Sequence, residues 1–279
     1  MTNKQLTIII TTFKSEDKIE ICLNSIDVNT KVIIVENSNN EKFKKYIEKK
    51  YQNVDCILTG QNLGYGKANN IGLKKVKTEY ALILNPDTVL DKEVIKKFFI
   101  FVARNINFAI LGPAQNKIQL SLQNNDMNLL ETDSVKGFAV FLNMKKFLTI
   151  GFFDENFFLY LEEVDLCKRL KKINENIYLD TNIKIFHEGG KSTNKTHFNE
   201  IELTRNWHWM WSLFYYNRKH FNYFYALILV SPRFFSALVK ILFYGLFFKS
   251  RKKSIYQKRL SGLINSILGE SSWYRPTLD

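Results

Sequence analysis

Tyr80-Ala81-Leu82-Ile83-Leu84-Asn85-Pro86-Asp87-Thr88 is the stretch on which the reading of this chain turns. Its first five residues have the unbroken apolar character of a buried strand, and the run ends in a carboxylate. In open α/β sheets ligands bind in the crevice beyond the carboxyl ends of the strands, so an acid at that position is a candidate ligand group. Pro86 fixes its own φ and biases Asn85 toward extended backbone, which makes the turn stiff. Asn, Pro and Asp are also ordinary turn formers, and Asp87-Thr88 would equally suit the lead-in to a helix after Asp91. The neighbouring segments have to separate these readings.

Toward the amino terminus, strand and helix patterns alternate. Leu6 to Thr11 is a β-branched run, and Ser15 to Ile26 carries Ile19, Cys22, Leu23 and Ile26 at helical spacing. A strand over Lys31–Glu36, a helix over Glu41–Tyr51, a strand over Val54–Leu58 and a helix through Ala68–Val76 complete a βαβαβαβ series ending at Tyr80. Such alternation predicts a mainly parallel sheet with helices on both faces. Past it, Leu111-Gly112-Pro113, the Leu120 region and Ser134–Leu142 read as strands of mixed direction, an antiparallel extension.

The strand ends carry polar groups suited to a nucleotide. The first ends at Thr11-Thr12-Phe13-Lys14-Ser15 and the second at Glu36-Asn37-Ser38, where an ionised Glu36 would accept from a base or ribose. Asn62-Leu63-Gly64-Tyr65-Gly66 follows the third and leads to Asn69-Asn70-Ile71-Gly72. Its glycines permit close backbone approach, and the helix start offers amides to phosphate. The third glycine of a dinucleotide fingerprint is missing, which counts against a nicotinamide oxidoreductase.

Two further blocks bear chemistry. The aromatic run from Phe152 to Tyr160 delivers Glu162, Glu163 and Asp165 to the start of a helix. Acids there complement the helix dipole, but a partly desolvated one would also have the raised pKa of a general base. A strand over Ile183–Phe186 delivers His187, followed by Gly189, Gly190 and Ser192. One carboxylate (Asp87), one imidazole (His187) and substrate phosphates would suit Mg²⁺ or Mn²⁺.

The net charge of +13 is concentrated near the carboxyl end: eleven Lys or Arg and no acid lie between Leu203 and Gly269. With −1 in the last ten residues, +3 is left to residues 1–202. The basic residues alternate with Phe, Tyr, Trp and Leu, which points to an anionic membrane surface rather than nucleic acid. A non-catalytic basic protein binding RNA or membrane would need only this tail. Phe221–Phe248 is nearly all apolar, and Ser231-Pro232-Arg233 near its middle predicts two short helices lying on a membrane surface rather than one spanning it. Cys22, Cys56 and Cys167 lack metal spacing and read as reduced core residues. The amino terminus has no apolar signal region, so no export is expected.

Six blocks in one order resemble family 2 glycosyltransferases of the GT-A fold, in the rhamnosyltransferase-like branch, from Leu6 to about Ser192. They are Thr12-Phe13-Lys14-Ser15, Glu36-Asn37-Ser38, Asn62 to Gly72, Leu84-Asn85-Pro86-Asp87, Phe153 to Leu166, and His187 to Ser192. The resemblance implies an α/β, Rossmann-like GT-A domain over residues 1–202, with a mainly parallel central sheet and an antiparallel extension. A helical, membrane-associating region over 203–279 follows. It implies a nucleotide diphosphate sugar donor addressed by Thr12, Phe13, Glu36, Asn62, Gly64, Asn69, Asn85 and Asp87. The divalent metal, Mg²⁺ or Mn²⁺, falls to Asp87 and His187. Glu163 stands at the catalytic base, with Glu162 and Asp165 in reserve. The implied reaction is inverting transfer, with dTDP-rhamnose ahead of UDP-galactose or a UDP-N-acetylhexosamine as donor. The acceptor would be a lipid-linked or cell-surface glycan; the basic, aromatic carboxyl-terminal region favours one carried on a polyprenyl lipid, at the cytoplasmic face of the cell membrane. Three positions depart from the family pattern: Lys14 for Asn, and Glu36 and Glu163 for Asp. The last moves a carboxylate by roughly 1 Å, a scale to which catalysis is sensitive.

Overall fold

The aliphatic run of Leu6–Thr12 forms β1, and a computed structural model describing residues 5–114, 128–188 and 198–276 shows what is built around it. The strand expected near Leu120, and Gly189, Gly190 and Ser192, lie outside the described residues. After β1 come α1 (Glu16–Asn24), β2 (Lys31–Glu36), α2 (Glu41–Lys50), β3 (Val54–Leu58), α3 (Tyr65–Leu73) and β4 (Tyr80–Leu84). Then follow β5 (Thr88–Leu90), α4 (Val94–Ala103), β6 (Ile110–Pro113), β7 (Leu129–Glu131), β8 (Ala139–Asn143), α5 (Glu162–Lys172), β9 (Ile177–Asp180) and β10 (Ile185–His187).

Eight strands make one sheet in the order β3-β2-β1-β4-β8-β6-β9-β7, in which β3, β2, β1 and β4 are mutually parallel. Strand β8 runs antiparallel to both β4 and β6, and β7 antiparallel to β9. The expected mainly parallel sheet with an antiparallel extension is therefore present. Strand alternation sorts the core into two layers. Leu6, Ile8 and Ile10 face Ile19, Cys22 and Leu23 of α1 and Phe43 and Ile47 of α2, whereas Ile9 joins Leu73, Ile83 and Val140 on the other face. Helix α3 lies so close to the sheet that a Cβ at Gly72 would stand 2.7 Å from Ile9 Cγ2, so only glycine fits there. All three cysteines are free and buried, and burial pushes each thiol up to about 12.

Several boundaries differ from expectation for local reasons. Helix α3 begins three residues early because Gly64, at φ +82°, turns the chain directly into it. The strand expected from Ser134 begins only at Ala139, since Ser134–Phe138 form a loop tied by Tyr65 and Asn85. The strand expected over Ile183–Phe186 is β10, displaced toward His187, whereas β5 and its antiparallel pairing with β10 were not expected.

Met1–Phe153 with Glu163–Asn194 constitute one compact unit, and Asp154–Glu162 with Lys195–Asp279 a second. The second unit contains α6 (Phe198–His220), α7 (Tyr223–Leu246) and α8 (Ser250–Ile267). Met210 and Phe214 of α6, Ala226 and Val230 of α7 and Leu263 of α8 form its core, and Trp207 and Trp211 are buried beside them. Helices α6 and α8 touch through Gly262, where a Cβ would sit 2.2 Å from the Trp207 carbonyl oxygen. The aromatic segment 154–162 is strapped along α6. Asp154 accepts from Tyr215 (2.9 Å) and Lys219 (2.7 Å), Phe158 stacks on His208, and Ser212 donates to the Leu159 carbonyl.

The break expected at Pro232 is absent: α7 is one continuous 24-residue helix. The proline withdraws the amide that would bond the Ile228 carbonyl, and the Ser231 hydroxyl donates to that same oxygen at 2.9 Å. Arg233 donates to the Leu229 carbonyl at 3.2 Å, covering the next position. At about 36 Å, α7 is long enough to cross a hydrocarbon core of about 30 Å.

Candidate active site

The register of the sheet places the candidate residues along one edge. Thr12 pairs with Glu36, and Ile10 with Leu84, so Asn85–Asp87 emerge just beyond the end of β4 beside them. Antiparallel β8 enters at the same edge, with Ala139 opposite Leu84 and the Asn85 amide donating to the Phe138 carbonyl (2.9 Å). The turn at Pro86 is closed by the Thr88 amide and hydroxyl, both donating to the Asn85 carbonyl.

Pairing of β5 with β10 then sets His187 opposite Thr88, one residue from Asp87. His187 Nε2 lies 3.3 Å from Asp87 Oδ1 and 3.4 Å from Asn85 Nδ2, and its ring stacks on Phe138 with centroids 4.7 Å apart. Asp87 is 5% exposed, yet neither carboxylate oxygen accepts a hydrogen bond. A buried carboxylate with no well-formed hydrogen bond is costly, and a cation or the protonated His187 ring is the kind of partner that would offset that cost. Among the described residues no cluster of three or more His, Cys, Asp or Glu exists to enclose a metal. One carboxylate and one imidazole fit a hard divalent ion that takes its other ligands from water and substrate phosphates.

Glu163 sits in the first turn of α5. Its carboxylate accepts from the main-chain amides of Glu163, Val164 and Gly137, the first two being helix-start amides that no intrahelical carbonyl uses. Burial nevertheless outweighs these bonds and holds its pKa above the ordinary value, the condition expected of a general base. Asp165 is placed differently. It is fully buried and bound to Arg169 at 2.8 Å, and Arg169 also donates to the carbonyls of Ile150 and Phe152, so this pair fastens the loop before the aromatic run. Glu162 is likewise buried at the first position of α5.

The remaining candidates divide into scaffolding and open groups. Glu36 accepts from Ser38 N, Ser38 Oγ and Asn40 N, so three of its roughly four acceptor positions are already committed locally. Asn62 Oδ1 takes the Gly64 amide and an Asn37 amide proton, and Asn37 also accepts from Leu63 N, which fixes the loop before α3. Phe13 is held by reciprocal bonds with Ser15. In contrast, Thr12 Oγ1 and Asn69 Oδ1 are buried without partners. Three contributors escaped the sequence reading. Phe138 stacks beneath His187, Gly137 offers its amide to Glu163, and Tyr65 donates its hydroxyl to the Gly137 carbonyl. Tyr65 between two glycines was the available signal, since a large residue in a glycine loop needs a reason.

A parallel sheet whose edge carries an acid and an imidazole, with a second acid at a helix start and antiparallel strands closing one side, defines a GT-A architecture. Comparison with known proteins agrees. A solved mannosyltransferase, PcManGT from Pyrobaculum calidifontis in complex with GDP-Man and Mn²⁺, superposes with TM-score 0.60 at 10% identity, covering 96% of this chain and 88% of that one. The low-salt glycan biosynthesis hexosyltransferase Agl10 of Haloferax volcanii is 26% identical over 197 residues, 62% of this chain and 63% of the relative. The rhamnosyltransferase WbbL of Escherichia coli K12 is 24% identical over 200 residues, 58% of this chain and 75% of the relative. The match thus spans under two thirds of the haloarchaeal relative. Residues 7–167 match the family described as glycosyl transferase family 2, and the chain belongs to that family.

Proposed function

We propose that this protein transfers a sugar from a nucleotide diphosphate donor to an acceptor hydroxyl, with inversion at the anomeric carbon. The observation that carries the reading is the buried Asp87 carboxylate, which accepts no well-formed hydrogen bond and is set 3.3 Å from His187 Nε2 at the strand-end edge. Asp87 and His187 would hold a divalent cation, which when bound offsets the charge that develops on the departing nucleoside diphosphate. Thr12, Asn69 and Asn85 supply polar groups to the donor, and Glu36 keeps its loop in shape with one acceptor position to spare. Glu163 takes the proton of the acceptor hydroxyl as that oxygen attacks the anomeric carbon. The C–O bond to the diphosphate breaks as the new one forms. The pKa elevation of Glu163 makes it a stronger base once ionised.

The preferred donor is dTDP-rhamnose, a reading supported by the name of the E. coli relative, with UDP-galactose and UDP-N-acetylhexosamines as alternatives. The acceptor is a glycan on a polyprenyl lipid, met at the cytoplasmic face of the membrane. Helix α7 supports a position on that surface rather than across it. Ala226, Val230 and Ala237 are buried along its length, while Phe224, Ile228, Phe235, Val239, Leu242 and Leu246 are exposed. A helix packed lengthwise within a unit whose other helices carry Lys and Arg would drag those charges into hydrocarbon if it spanned. The test is a panel of dTDP-rhamnose, UDP-galactose, UDP-N-acetylglucosamine and GDP-mannose, with release of nucleoside diphosphate as readout. Release from one donor, strongest for dTDP-rhamnose, is expected. Release from none would reject the reading.

A further inference from the structure

Gly137 and Phe138, immediately before β8, are held on every side by groups of the candidate active site. The Gly137 amide donates to the Glu163 carboxylate, and the Gly137 carbonyl accepts from the Tyr65 hydroxyl. The Phe138 carbonyl accepts from the Asn85 amide at 2.9 Å, and its ring stacks on His187. This short segment therefore joins the base on α5 to the turn that carries Asp87, and the clamp on its first residue comes from α3.

The clamp is aimed by its surroundings. Tyr65 opens α3 directly after Gly64, and its ring meets Phe153 edge to face with centroids 5.8 Å apart. Asn70 of the same helix fixes Phe153 in turn, donating to its carbonyl at 2.9 Å and accepting from its amide at 3.0 Å. A Cβ on Gly137 would stand 3.3 Å from the Tyr65 hydroxyl oxygen and 3.4 Å from Cζ, so the phenol lies directly against the glycine. The Gly137 backbone is not left-handed, and it is the contact with Tyr65 that favours glycine there. Glycine is also the residue whose backbone is freest to swing, so its amide keeps a fixed aim only if the residue is held. Of the three amides that donate to Glu163, those of Glu163 and Val164 belong to α5 itself, and Gly137 supplies the one from outside the helix.

We propose that Tyr65 is a positioning residue for sugar transfer: its hydroxyl holds Gly137, and the Gly137 amide holds the Glu163 carboxylate in the orientation in which it takes the acceptor proton. Tyr65 itself exchanges no proton with the substrate. Its effect is geometric, and reaction rates respond to displacements of about 1 Å at the reacting groups. The proposal rests on the transferase reading and on Glu163 as its base.

The test is steady-state release of nucleoside diphosphate by the full chain, from dTDP-rhamnose or from the donor of the panel that releases most, with water as acceptor. Tyr65→Phe keeps the ring against Phe153 and removes only the hydroxyl, so it should melt within about 4 °C of wild type. Its kcat should fall about tenfold, the contribution of one hydrogen bond, while the donor KM changes by less than about twofold. In a Glu163→Gln background the same substitution should alter kcat by less than about twofold, because the group it positions no longer accepts a proton. Gly137→Ala, which crowds the hydroxyl with a Cβ, should reproduce the loss when Tyr65 is present and have little further effect in Tyr65→Phe. Wild-type kcat in Tyr65→Phe, a loss carried by donor KM instead, or losses in Tyr65→Phe and Glu163→Gln that multiply would each overturn the proposal and leave the transferase reading in place. Failure of the wild type to release nucleoside diphosphate from any donor would overturn the transferase reading and with it the catalytic use of the coupling. The coupling itself is read without turnover from the Gly137 amide resonance in a chain carrying isotope-labelled glycine, identified by its loss in Gly137→Ala. That resonance should shift in both Tyr65→Phe and Glu163→Gln; indifference to either would show that the two side chains are not linked through Gly137.

Discussion

Replacing Glu163 by Gln preserves the side chain's size while removing its basicity. The substituted amide would keep one oxygen to accept from the amides of Val164 and Gly137, so the start of α5 should stay in place. What is lost is the proton acceptor, and general base catalysis commonly contributes roughly 10²- to 10⁴-fold. At about 1.4 kcal/mol for each tenfold, that is about 3–5 kcal/mol of transition-state stabilisation. Because Asp87 and the strand ends are untouched, the donor KM should change little while kcat falls by ~10² or more. The pH profile supplies a second reading. Burial holds the Glu163 pKa above its ordinary value, so wild-type kcat should rise with pH through that elevated value. The same elevation means the ionised carboxylate costs stability, absent below the ordinary glutamate pKa and incurred as pH rises through the elevated one. The Gln variant should accordingly melt no lower than wild type at pH 7.5. Nucleoside diphosphate release under saturating donor measures the first effect and thermal melts at pH 4.5 and 7.5 the second. Normal turnover by Glu163→Gln, with loss in Glu162→Gln instead, would refute the assignment.

Three further outcomes follow from other parts of the molecule. Arg169→Met should cost about 3–5 kcal/mol in denaturant unfolding, because it removes the ion-pair partner of the fully buried Asp165 and releases the Ile150 and Phe152 carbonyls; a loss below about 1 kcal/mol would show that the pair is dispensable. His208 is buried against the Tyr274 carbonyl (2.7 Å), and burial lowers its pKa from 6.5 to about 3, so stability from keeping it neutral is complete above pH 6.5 and lost as pH falls toward 3. The slope should approach about 1.4 kcal/mol per pH unit and flatten in His208→Phe; identical slopes would contradict it. Lys249, Lys252 and Lys253 changed together to Glu should reduce co-sedimentation with anionic liposomes, at about 1 kcal/mol for each base near the surface, and leave binding to neutral liposomes. Arg251 is omitted because it is committed to Glu202; unchanged anionic binding would dismiss the electrostatic contribution.

The sequence made the architecture legible wherever one segment carried its own signal. The β-branched runs of β1 and β2, the apolar β4 and the turn at Pro86 each specify local structure that the sheet then assembles in order. Pairings between distant segments were not legible. The β5–β10 pair, which brings His187 to Asp87, joins residues about a hundred positions apart through three-residue strands too short for a periodic signal. Gly137 and Phe138 became visible only once β8 had been placed beside β4. At Pro232 the proline rule predicted a break because the compensating donor was a side chain, Ser231, one residue away. Asp165 shows the converse: its place in an acidic cluster suggested chemistry, whereas its i,i+4 relation to Arg169 was the informative feature.

Asp87 and His187 are proposed to hold a cation against a nucleoside diphosphate. Isothermal titration of dTDP, UDP and GDP into wild type, Asp87→Asn and His187→Ala, with Mn²⁺ or with chelator, tests it most directly. Wild type should bind one nucleotide with an affinity that falls on chelation, Asp87→Asn should lose the Mn²⁺-dependent part while retaining its thermal melt, and His187→Ala should lose some of it. Equal affinity in wild type and Asp87→Asn, with and without chelator, would contradict the account.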